Sequence, residues 1–312
     1  MIPFAFVFPG QGSQSVGMLD AWGEHPAVRQ TLDEASAALG EDVAALIRTG
    51  PKERLDLTTN TQPVMLTAGI ACYRAWLAET GLAPAIVAGH SLGEYTALVV
   101  AGALSLADAL PLVRFRAQAM QDAVPVGEGA MAAILGIDAQ AVREGCEAVA
   151  VSSGEVVEAV NFNDPLQTVI AGSKAGVEQA IVALKAAGAK RALLLPVSAP
   201  FHSSLMKPAA DRLKARLMET HVAAPSIKVV NNVDVRVESE PQLIRDALYR
   251  QAFGPVRWVE VVQSMREQGI THIFECGPGK ALAGMIRRID AEAVTGTVLD
   301  PETLAEVRRL RA

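Results

Sequence analysis

The 312-residue sequence has few cysteines, few aromatic residues and no cluster of basic residues. Its three cysteines, Cys72, Cys146 and Cys276, lie far apart with no C-x-x-C pair, which argues against a disulfide framework and favours reduced thiols. Lysine and arginine number 28 against 34 acidic residues, so nucleic acid is not an expected partner. No apolar run approaches the ~20 residues that a membrane-spanning helix needs.

The first residues, MIPFAFVFPGQG, also lack the basic segment and the small-residue cleavage site of a secretory signal. Together these absences predict a cytoplasmic protein that binds neither membrane nor nucleic acid. Apolar residues, in contrast, make up 50% of the chain and are enough for a large core. This length predicts two domains, or one domain with a sizeable insertion.

Short apolar runs flanked by turn residues predict strands, and helical patterns alternate with them. The runs are FAFVF (4–8), AIVAG (85–89), KVVNN (228–232), HIFEC (272–276) and TGTVL (295–299). Continuous apolar strands that alternate with helices predict an α/β fold with a parallel sheet covered on both faces. Helices are predicted over 26–39, 62–79, 92–101, 105–122, 204–219, 241–252, 255–268 and 280–289.

Between residues 127 and 197 the pattern changes to the order β-α-β-β-α-β. The predicted strands are AMAAILG, EVVEAVNF, QTVIAG and RALLLPVS, and the predicted helices cover 138–149 and 174–188. This is the order of a split, ferredoxin-like fold. We therefore predict a small subdomain over 127–197, inserted in a larger domain formed by 1–126 and 198–312.

The segment VAGHSLGEYTAL (87–98) places a serine at a sharp turn between an apolar strand and a helix. Its pentapeptide GHSLG (89–93) has the G-x-S-x-G spacing of a nucleophile elbow. Glycine lets the backbone fold where a β-carbon would clash, and the helix directs free N–H groups toward the serine hydroxyl. This context favours a nucleophilic Ser91 over a solvated serine in a plain turn.

A nucleophilic serine needs a base, and the chain has five histidines. His25 and His221 are predicted on the surface, and His90 is predicted to support the turn. His272 opens a strand, whereas sites in open α/β sheets form beyond the carboxyl ends of strands. His202 lies in a loop before a helix and is the preferred base, with a helix cap or a surface position as the alternative.

A second glycine-rich turn, FPGQGSQ (8–14), follows the first predicted strand. Its glycines miss the G-x-G-x-x-G spacing of a dinucleotide site, and no P-loop lysine follows. A turn beside the elbow can instead offer a backbone N–H to an oxyanion, and Gln11 is then the candidate donor. A plain turn is the alternative.

The helix predicted over 105–122 has one apolar stripe, and Arg114 and Arg116 flank it on opposite sides. A guanidinium can bind a carboxylate through two parallel hydrogen bonds. An arginine beside an apolar stripe is more often a solvated charge. Helical periodicity does not choose between the two arginines.

Taken together, these segments closely resemble the malonyl-CoA:acyl-carrier-protein transacylase family of bacterial fatty-acid synthesis. The matching stretches occur in family order and cover nearly the whole chain. They are FPGQGSQSVGM (8–18), GHSLGEYTAL (89–98), RAQAMQDAVPVGEGAMAAILG (116–136), VNFNDPLQTVIAG (160–172), FHSSLMKPAA (201–210), GPVRW (254–258) and FECGPGKAL (274–282). The resemblance implies an α/β-hydrolase-like, mostly parallel sheet domain with an inserted ferredoxin-like α+β subdomain, and an active site between them.

The resemblance also implies roles for single residues. Ser91 is expected to be the nucleophile and His202 its base. The backbone N–H groups of Gln11 and Leu92 are expected to bind the oxyanion. The main-chain carbonyl of Gln251 is expected to orient the histidine, in place of the acidic residue of a triad.

The remaining implied roles concern the substrate. Arg116, rather than Arg114, occupies the position that binds the substrate carboxylate. Asn161 and Asn163 are expected to line the subdomain side of the cleft. Phe201 precedes the histidine where some members have serine, and phenylalanine there is typical of acyltransferases that select malonyl over methylmalonyl units, with packing as the alternative.

The implied reaction moves a malonyl group from malonyl-CoA to the phosphopantetheine thiol of acyl carrier protein, through an ester on Ser91. It requires no metal and no bound cofactor, and a monomer is the expectation. Acyl carrier proteins are acidic, so transient electrostatic docking should use local cations. The candidate clusters are Lys190 with Arg191, and Lys280 with Arg287 and Arg288.

Three other functions remain open. An esterase or thioesterase of the α/β-hydrolase type would use Ser91, Asp246 and His272, in that chain order, and would have no use for Arg116. A non-catalytic module that binds CoA or carrier protein would form no adduct on Ser91. An acyltransferase of a polyketide or malonate-decarboxylation system would share the site and differ in its carrier protein.

Overall fold

The computed structural model describes residues 2–197 and 199–311, which form two sheets surrounded by helices. The strands are β1 (Phe4–Phe8), β2 (Ile86–Gly89), β3 (Gly129–Leu135), β4 (Val157–Asp164), β5 (Gln167–Ser173), β6 (Arg191–Leu194), β7 (Lys228–Val230), β8 (His272–Cys276) and β9 (Val294–Val298). The helices are α1 (Pro26–Leu39), α2 (Val43–Thr49), α3 (Lys52–Leu55), α4 (Thr58–Thr80), α5 (Gly93–Val100), α6 (Leu106–Asp122), α7 (Ala139–Ser153), α8 (Lys174–Ala186), α9 (Lys207–Glu219), α10 (Pro241–Gln251), α11 (Trp258–Glu267), α12 (Ala281–Ile289) and α13 (Pro301–Leu310).

The larger sheet has the strand order β7-β2-β1-β8-β9, and every neighbouring pair is parallel. Strands β1, β2 and β8 are buried along their whole length, as expected for mostly apolar strands of a sheet that is covered on both faces. The chain moves outward from β1 to β2 and β7, and then crosses to β8 on the other side. Such a reversal opens a crevice at the carboxyl ends of the central strands, where ligands bind.

The smaller sheet has the order β4-β5-β3-β6, and its strands are antiparallel. Helices α7 and α8 cover one of its faces, and their apolar residues form a separate core with those of β3 and β5. The predicted fold class is confirmed: a mostly parallel sheet is accompanied by a small antiparallel sheet in β-α-β-β-α-β order. The domain limits, 1–126 with 198–312 and 127–197, stay a prediction.

The sequence pattern does not predict three of the helices, α2, α3 and α13. Helices α2 and α3 have seven and four residues, too few for a helical period to be recognised. Helix α13 does carry a start signal, because the Asp300 side chain caps it and Pro301 follows. The predicted helix over 174–188 ends at Ala186. Within the described residues, no helix is long and apolar enough to cross a membrane.

Candidate active site

Ser91 lies in the turn between β2 and α5, at the carboxyl edge of the parallel sheet. Its φ of +53° is unusual for a residue with a side chain and makes the turn sharp. A Cβ on Gly89 would lie 1.8 Å from the carbonyl carbon of Gly93, and one on Gly93 would lie 2.0 Å from the carbonyl oxygen of Phe8. Both glycines of the G-x-S-x-G spacing are therefore required by close backbone contacts.

The imidazole of His202 contacts the serine hydroxyl from the loop between β6 and α9. Its Nε2 is 2.7 Å from Oγ of Ser91, and its Nδ1 is 2.9 Å from the main-chain carbonyl oxygen of Gln251 and 3.2 Å from that of Gly254. Because a carbonyl oxygen only accepts, the proton lies on Nδ1, and Nε2 is left to accept the hydroxyl proton. Burial, and then the positive charge of Arg116, lowers the pKa of His202 to about 3, so the imidazole is neutral near pH 7.

The guanidinium of Arg116 reaches the same point from α6, and the residue is only 2% exposed. One terminal nitrogen donates to Oε1 of Gln62 at 2.9 Å. The other donates to Oε1 of Gln251 at 3.1 Å and to Oγ of Ser91 at 3.2 Å. It forms no ion pair with a carboxylate of the described residues. A buried guanidinium bonded only to neutral groups is suited to a ligand that brings a negative charge.

Arg114, two residues earlier on the same helix, has a different environment. It forms an ion pair with Glu41 and lies against a surface shared with Pro111 and Arg212. The tertiary structure thus separates two arginines that helical periodicity could not separate, and only Arg116 is at the serine.

Gln11 and Leu92 lie on two loops that leave the sheet side by side. Gln11 follows β1, Leu92 directly follows Ser91, and the last residues of β1 and β2, Phe8 and Gly89, are paired in register. No hydrogen bond within residues 2–197 and 199–311 occupies the backbone N–H of Gln11 or Leu92. Two free N–H groups on loops beside a serine hydroxyl could both bind an oxyanion formed there.

These groups line one cavity of about 120 Å³. Its polar lining consists of Gln11, Gln62, His90, Ser91, Arg116, Asn161 and His202. Its apolar lining consists of Leu92, Met120, Met131, Leu195, Val197 and Phe201. Apolar walls keep water away from the charged groups and so strengthen their electrostatic interactions.

The two asparagines expected in the cleft occupy different positions. Asn161 lines the cavity, but Asn163 is not among the described residues that do so. Its Oδ1 lies 2.8 Å from Nε2 of His90, whose ring packs near Trp258, so it supports a cavity residue instead. The register of β4 against β5 shifts between Phe162 and the end of the strand, and this irregularity breaks the strict alternation that would give both amides the same surroundings.

The groups of the alternative hydrolase triad are not assembled around Ser91. His272 pairs in register with Phe4, at the opposite end of the sheet from the serine turn. Asp246 accepts a hydrogen bond from Arg250, one helical turn away. Neither side chain contacts the serine or its base.

Sequence reasoning missed three polar residues at the site: Gln62, Glu94 and Asn232. Glu94 and Asn232 are buried beside the serine turn. Burial raises the pKa of Glu94 to about 7, although hydrogen bonds from Gln251 and Asn232 oppose this shift. A signal was present, because a glutamate follows GHSLG directly and the asparagine follows the apolar run of β7, beside β2. Polar residues beyond a strand's carboxyl end are typical of sites in this kind of sheet.

A metal site is not evident in the part of the chain that the structure describes. No group of three or more His, Cys, Asp or Glu side chains there is arranged to hold an ion. Cys72, Cys146 and Cys276 are buried free thiols, and burial raises the pKa of Cys72 and of Cys146 to about 12. These thiols are protonated and inert near neutral pH.

The chain is similar to proteins of one family over almost its whole length. The family model for the acyl transferase domain matches residues 5–292. The malonyl CoA-acyl carrier protein transacylase of Escherichia coli (strain K12) is 53% identical over 311 residues, which cover 99% of this chain and 100% of that protein. The protein of the same name from Bacillus subtilis (strain 168) is 45% identical over 305 residues, covering 97% of this chain and 96% of that protein.

Solved structures agree with this comparison. An acyl-carrier-protein S-malonyltransferase from Burkholderia pseudomallei 1710b is 63% identical, with a TM-score of 0.97 and full coverage of both chains. A malonyl-transacylase in complex with its type II PKS acyl-carrier protein is 48% identical, with a TM-score of 0.95 and 98% coverage of both chains. The chain therefore belongs to the acyl transferase domain family, among the malonyl CoA-acyl carrier protein transacylases.

Proposed function

We propose that this acyltransferase moves the malonyl group of malonyl-CoA to the phosphopantetheine thiol of an acyl carrier protein and so supplies extender units for fatty-acid synthesis. One observation carries the proposal. Ser91 is in hydrogen-bond contact both with a neutral imidazole, of His202, and with a buried guanidinium that lacks an anionic partner, of Arg116. The names of the full-length relatives support the same donor and acceptor.

The first half of the reaction forms an ester on Ser91. His202 Nε2 takes the hydroxyl proton as Oγ attacks the thioester carbonyl carbon of malonyl-CoA. The backbone N–H groups of Gln11 and Leu92 bind the oxygen on which negative charge develops. The carbon–sulfur bond then breaks, and the imidazolium returns its proton to the CoA sulfur.

The second half repeats the same chemistry in the opposite direction. The thiol of the carrier's phosphopantetheine gives its proton to His202 and attacks the ester carbonyl. The carbon–oxygen bond to Ser91 breaks, and the serine oxygen recovers the proton from the imidazolium. The main-chain carbonyl of Gln251 keeps the proton on Nδ1 throughout, so that Nε2 can both accept and donate.

Arg116 distinguishes a malonyl group from an acetyl group, which differs by one carboxylate. The guanidinium pairs with that carboxylate inside the cavity, and Phe201 and Asn161 bound the space around the acyl chain. An acetyl group leaves the buried charge unpaired, which is unfavourable. The protein needs no metal or bound cofactor in this scheme, and acts as a monomer in the cytoplasm.

A second acceptor is a polyketide carrier protein, because one similar structure is a malonyl-transacylase bound to a type II PKS acyl-carrier protein. The chemistry at Ser91 is the same for both acceptors. Rates of malonyl transfer to purified carriers of each type distinguish them.

The test is mass spectrometry of the protein after brief incubation with malonyl-CoA. We expect one malonyl group, mapped by peptide analysis to Ser91, and no adduct in Ser91→Ala. The ester should persist until a thiol acceptor is added, since rapid release of free malonate is the behaviour of a hydrolase. An adduct on a cysteine, or the absence of any adduct, contradicts the proposal.

A further inference from the structure

Both polar backbone groups of Ser91 are held by buried side-chain amides. Its N–H donates to Oδ1 of Asn232 at 2.7 Å, and its carbonyl oxygen accepts from Nε2 of Gln251 at 3.0 Å. Asn232 and Gln251 are fully buried. They therefore restrain the residue whose φ of +53° is strained, and a strained backbone persists only where its surroundings determine it.

The two amide residues converge on a single carboxylate oxygen. Glu94 is only 2% exposed. Its Oε2 accepts hydrogen bonds from Nε2 of Gln251 at 2.9 Å and from the backbone N–H of Asn232 at 2.9 Å. The side-chain nitrogen of Asn232 also donates to the carbonyl oxygen of Gly89 at 2.7 Å. Glu94 is thus linked through Asn232 and Gln251 to the backbone N–H and the carbonyl group of Ser91, and we call these three residues the anchor of the serine turn.

Gln251 extends this anchor to the other reacting groups. Its main-chain carbonyl accepts from Nδ1 of His202, and its side-chain oxygen accepts from the guanidinium of Arg116. The nitrogen of the same side-chain amide is held by Glu94, so the amide plane, and with it the acceptor for Arg116, has one orientation. Glu94 itself is not among the described residues that line the cavity.

We propose that Glu94 is a positioning residue for acyl transfer. One oxygen of its carboxyl group fixes the positions of Asn232 and Gln251. Through these two residues it sets the geometry of the nucleophile Ser91, the base His202 and the guanidinium of Arg116. One carboxyl oxygen has two lone pairs and can accept both bonds at once, which suits Glu94 to this task. The inference rests on the proposed function, in which Ser91 is the nucleophile.

Glu275 provides a matched control on β8 of the same sheet. It is fully buried, and burial raises its pKa to about 7, as it does for Glu94. Its carboxylate accepts from the backbone N–H of Ala283 at 2.9 Å. No hydrogen bond of the described residues joins it to Ser91, Asn232 or Gln251. Substitution there removes a buried carboxylate without removing the anchor of the serine turn.

The experiment measures single-turnover acylation of Ser91 by malonyl-CoA in the full chain, by intact mass. We expect Glu94→Ala to lower the maximal acylation rate constant about 10²-fold, the size expected when a remote change displaces reacting groups by about 1 Å. The malonyl-CoA concentration for half-maximal rate should change less than about threefold, because Arg116 is also held by Gln62, which does not depend on Glu94. Glu94→Gln keeps an oxygen that can accept both bonds and should recover to within about tenfold of the native rate. Glu275→Gln should stay within about threefold of it.

A double-mutant cycle of Glu94→Gln and Asn232→Ala is a second measurement, and it tests the positioning role of Glu94 even if Glu94→Ala does not fold. The two residues act on one turn, so the loss of rate in the double variant should be smaller than the product of the single losses. Independent, multiplicative losses contradict a shared anchor. So does native acylation in Glu94→Ala, or a loss in Glu275→Gln as large as the loss in Glu94→Ala. A native chain that forms no Ser91 ester contradicts the proposed function instead, and that control is run first.

Discussion

The two sides of the cavity differ in composition. The side formed by the parallel sheet, α6 and the loop before α9 carries the groups that move a proton or hold a charge: Ser91, His202 and Arg116. The side formed by the antiparallel sheet is mostly apolar. Its lining residues are Met131, Asn161, Leu195 and Val197.

The difference follows from how each sheet is packed. The central strands of the parallel sheet are buried, so the turn after β2 can hold a strained serine in a fixed position, and buried α6 places the guanidinium of Arg116 beside it. In the antiparallel sheet, β6 is an edge strand whose Leu193 and Leu194 are exposed. We infer that chemistry depends on the first side and that the second side shapes the space for the acyl chain. Substitutions should therefore have unequal effects on the two sides.

The largest expected effect separates two histidines at opposite ends of the parallel sheet. His202→Ala should lower the transfer rate on the order of 10²–10⁴-fold, the usual contribution of a general base. His272→Ala should change the free energy of unfolding at most, since His272 opens β8 far from the serine. The measurement is kcat/KM for malonyl transfer with denaturant unfolding of both variants. Reversed effects would support the hydrolase arrangement.

The next effect separates two arginines on one helix. Arg116→Ala should lower kcat/KM for malonyl-CoA at least about 10-fold, because a bond to a charged group contributes roughly 1.5–3 kcal/mol and a decade is 1.4 kcal/mol. Activity with acetyl-CoA should rise relative to malonyl-CoA, and Arg116→Lys should recover only part, since an ammonium lacks the planar fork.

Arg114→Ala is the control for this pair, because Arg114 forms an ion pair with Glu41 away from the cavity. It should alter neither thioester's kcat/KM. If Arg116→Ala kept the native preference for malonyl over acetyl, the proposed pairing with the substrate carboxylate would be wrong.

A smaller effect concerns pH and tests whether the charge of Arg116 lowers the pKa of His202. The pKa of His202 is lowered by burial and by Arg116 to about 3, so protonation of His202 should give kcat/KM of the native enzyme no acid limb between about pH 5 and 7. Arg116→Gln removes the charge that opposes protonation, so its acid limb should move to higher pH. A limb near the ordinary histidine pKa of about 6.5 that persists in Glu94→Gln would contradict a neutral, buried base.

The smallest expected effect is on the KM for the carrier protein, and it shows on which side of the cavity the carrier docks. Lys190 and Arg191 lie at the start of β6, whereas Arg287 and Arg288 lie on α12, where Arg288 pairs with the buried Asp164. Charge reversal of the true cluster should raise the carrier KM about threefold to tenfold at low salt.

The KM for malonyl-CoA should hardly change in the same variant, because the acyl cavity is untouched. Reversal of the other cluster is the control. A carrier KM that does not respond to salt would argue against electrostatic docking on either side.

Much of the fold could be predicted from the sequence because its signals are local. The pattern places α1 over 26–39 with both ends correct, and HIFEC coincides with β8. The order of elements between 127 and 197 also predicted a four-stranded sheet with two helices, as observed. Short helices such as α2 and α3 escaped because a helical period needs more residues than they have.

Prediction of the candidate site was uneven for a related reason. The serine turn was recognisable because its glycines are required by contacts within the turn or with the adjacent strand. His202 could be preferred over His272 from its place relative to strand ends. Arg116 was chosen only through a family resemblance. Glu94 and Asn232 were not found, because their positions after strand ends indicate a site but not which groups the two side chains contact.

Local signals in the sequence were enough to predict the strands, the main helices and the G-x-S-x-G turn, because apolar periodicity and glycine requirements act over a few residues. The set of polar groups that come together in the cavity depends instead on tertiary contacts. Ser91 and His202 are 111 residues apart in the chain, and Glu94 and Gln251 are 157 apart. Such pairs form because strand order and loop packing bring the carboxyl ends of β1 and β2 together with the loop before α9 and the end of α10, and no local pattern encodes that meeting.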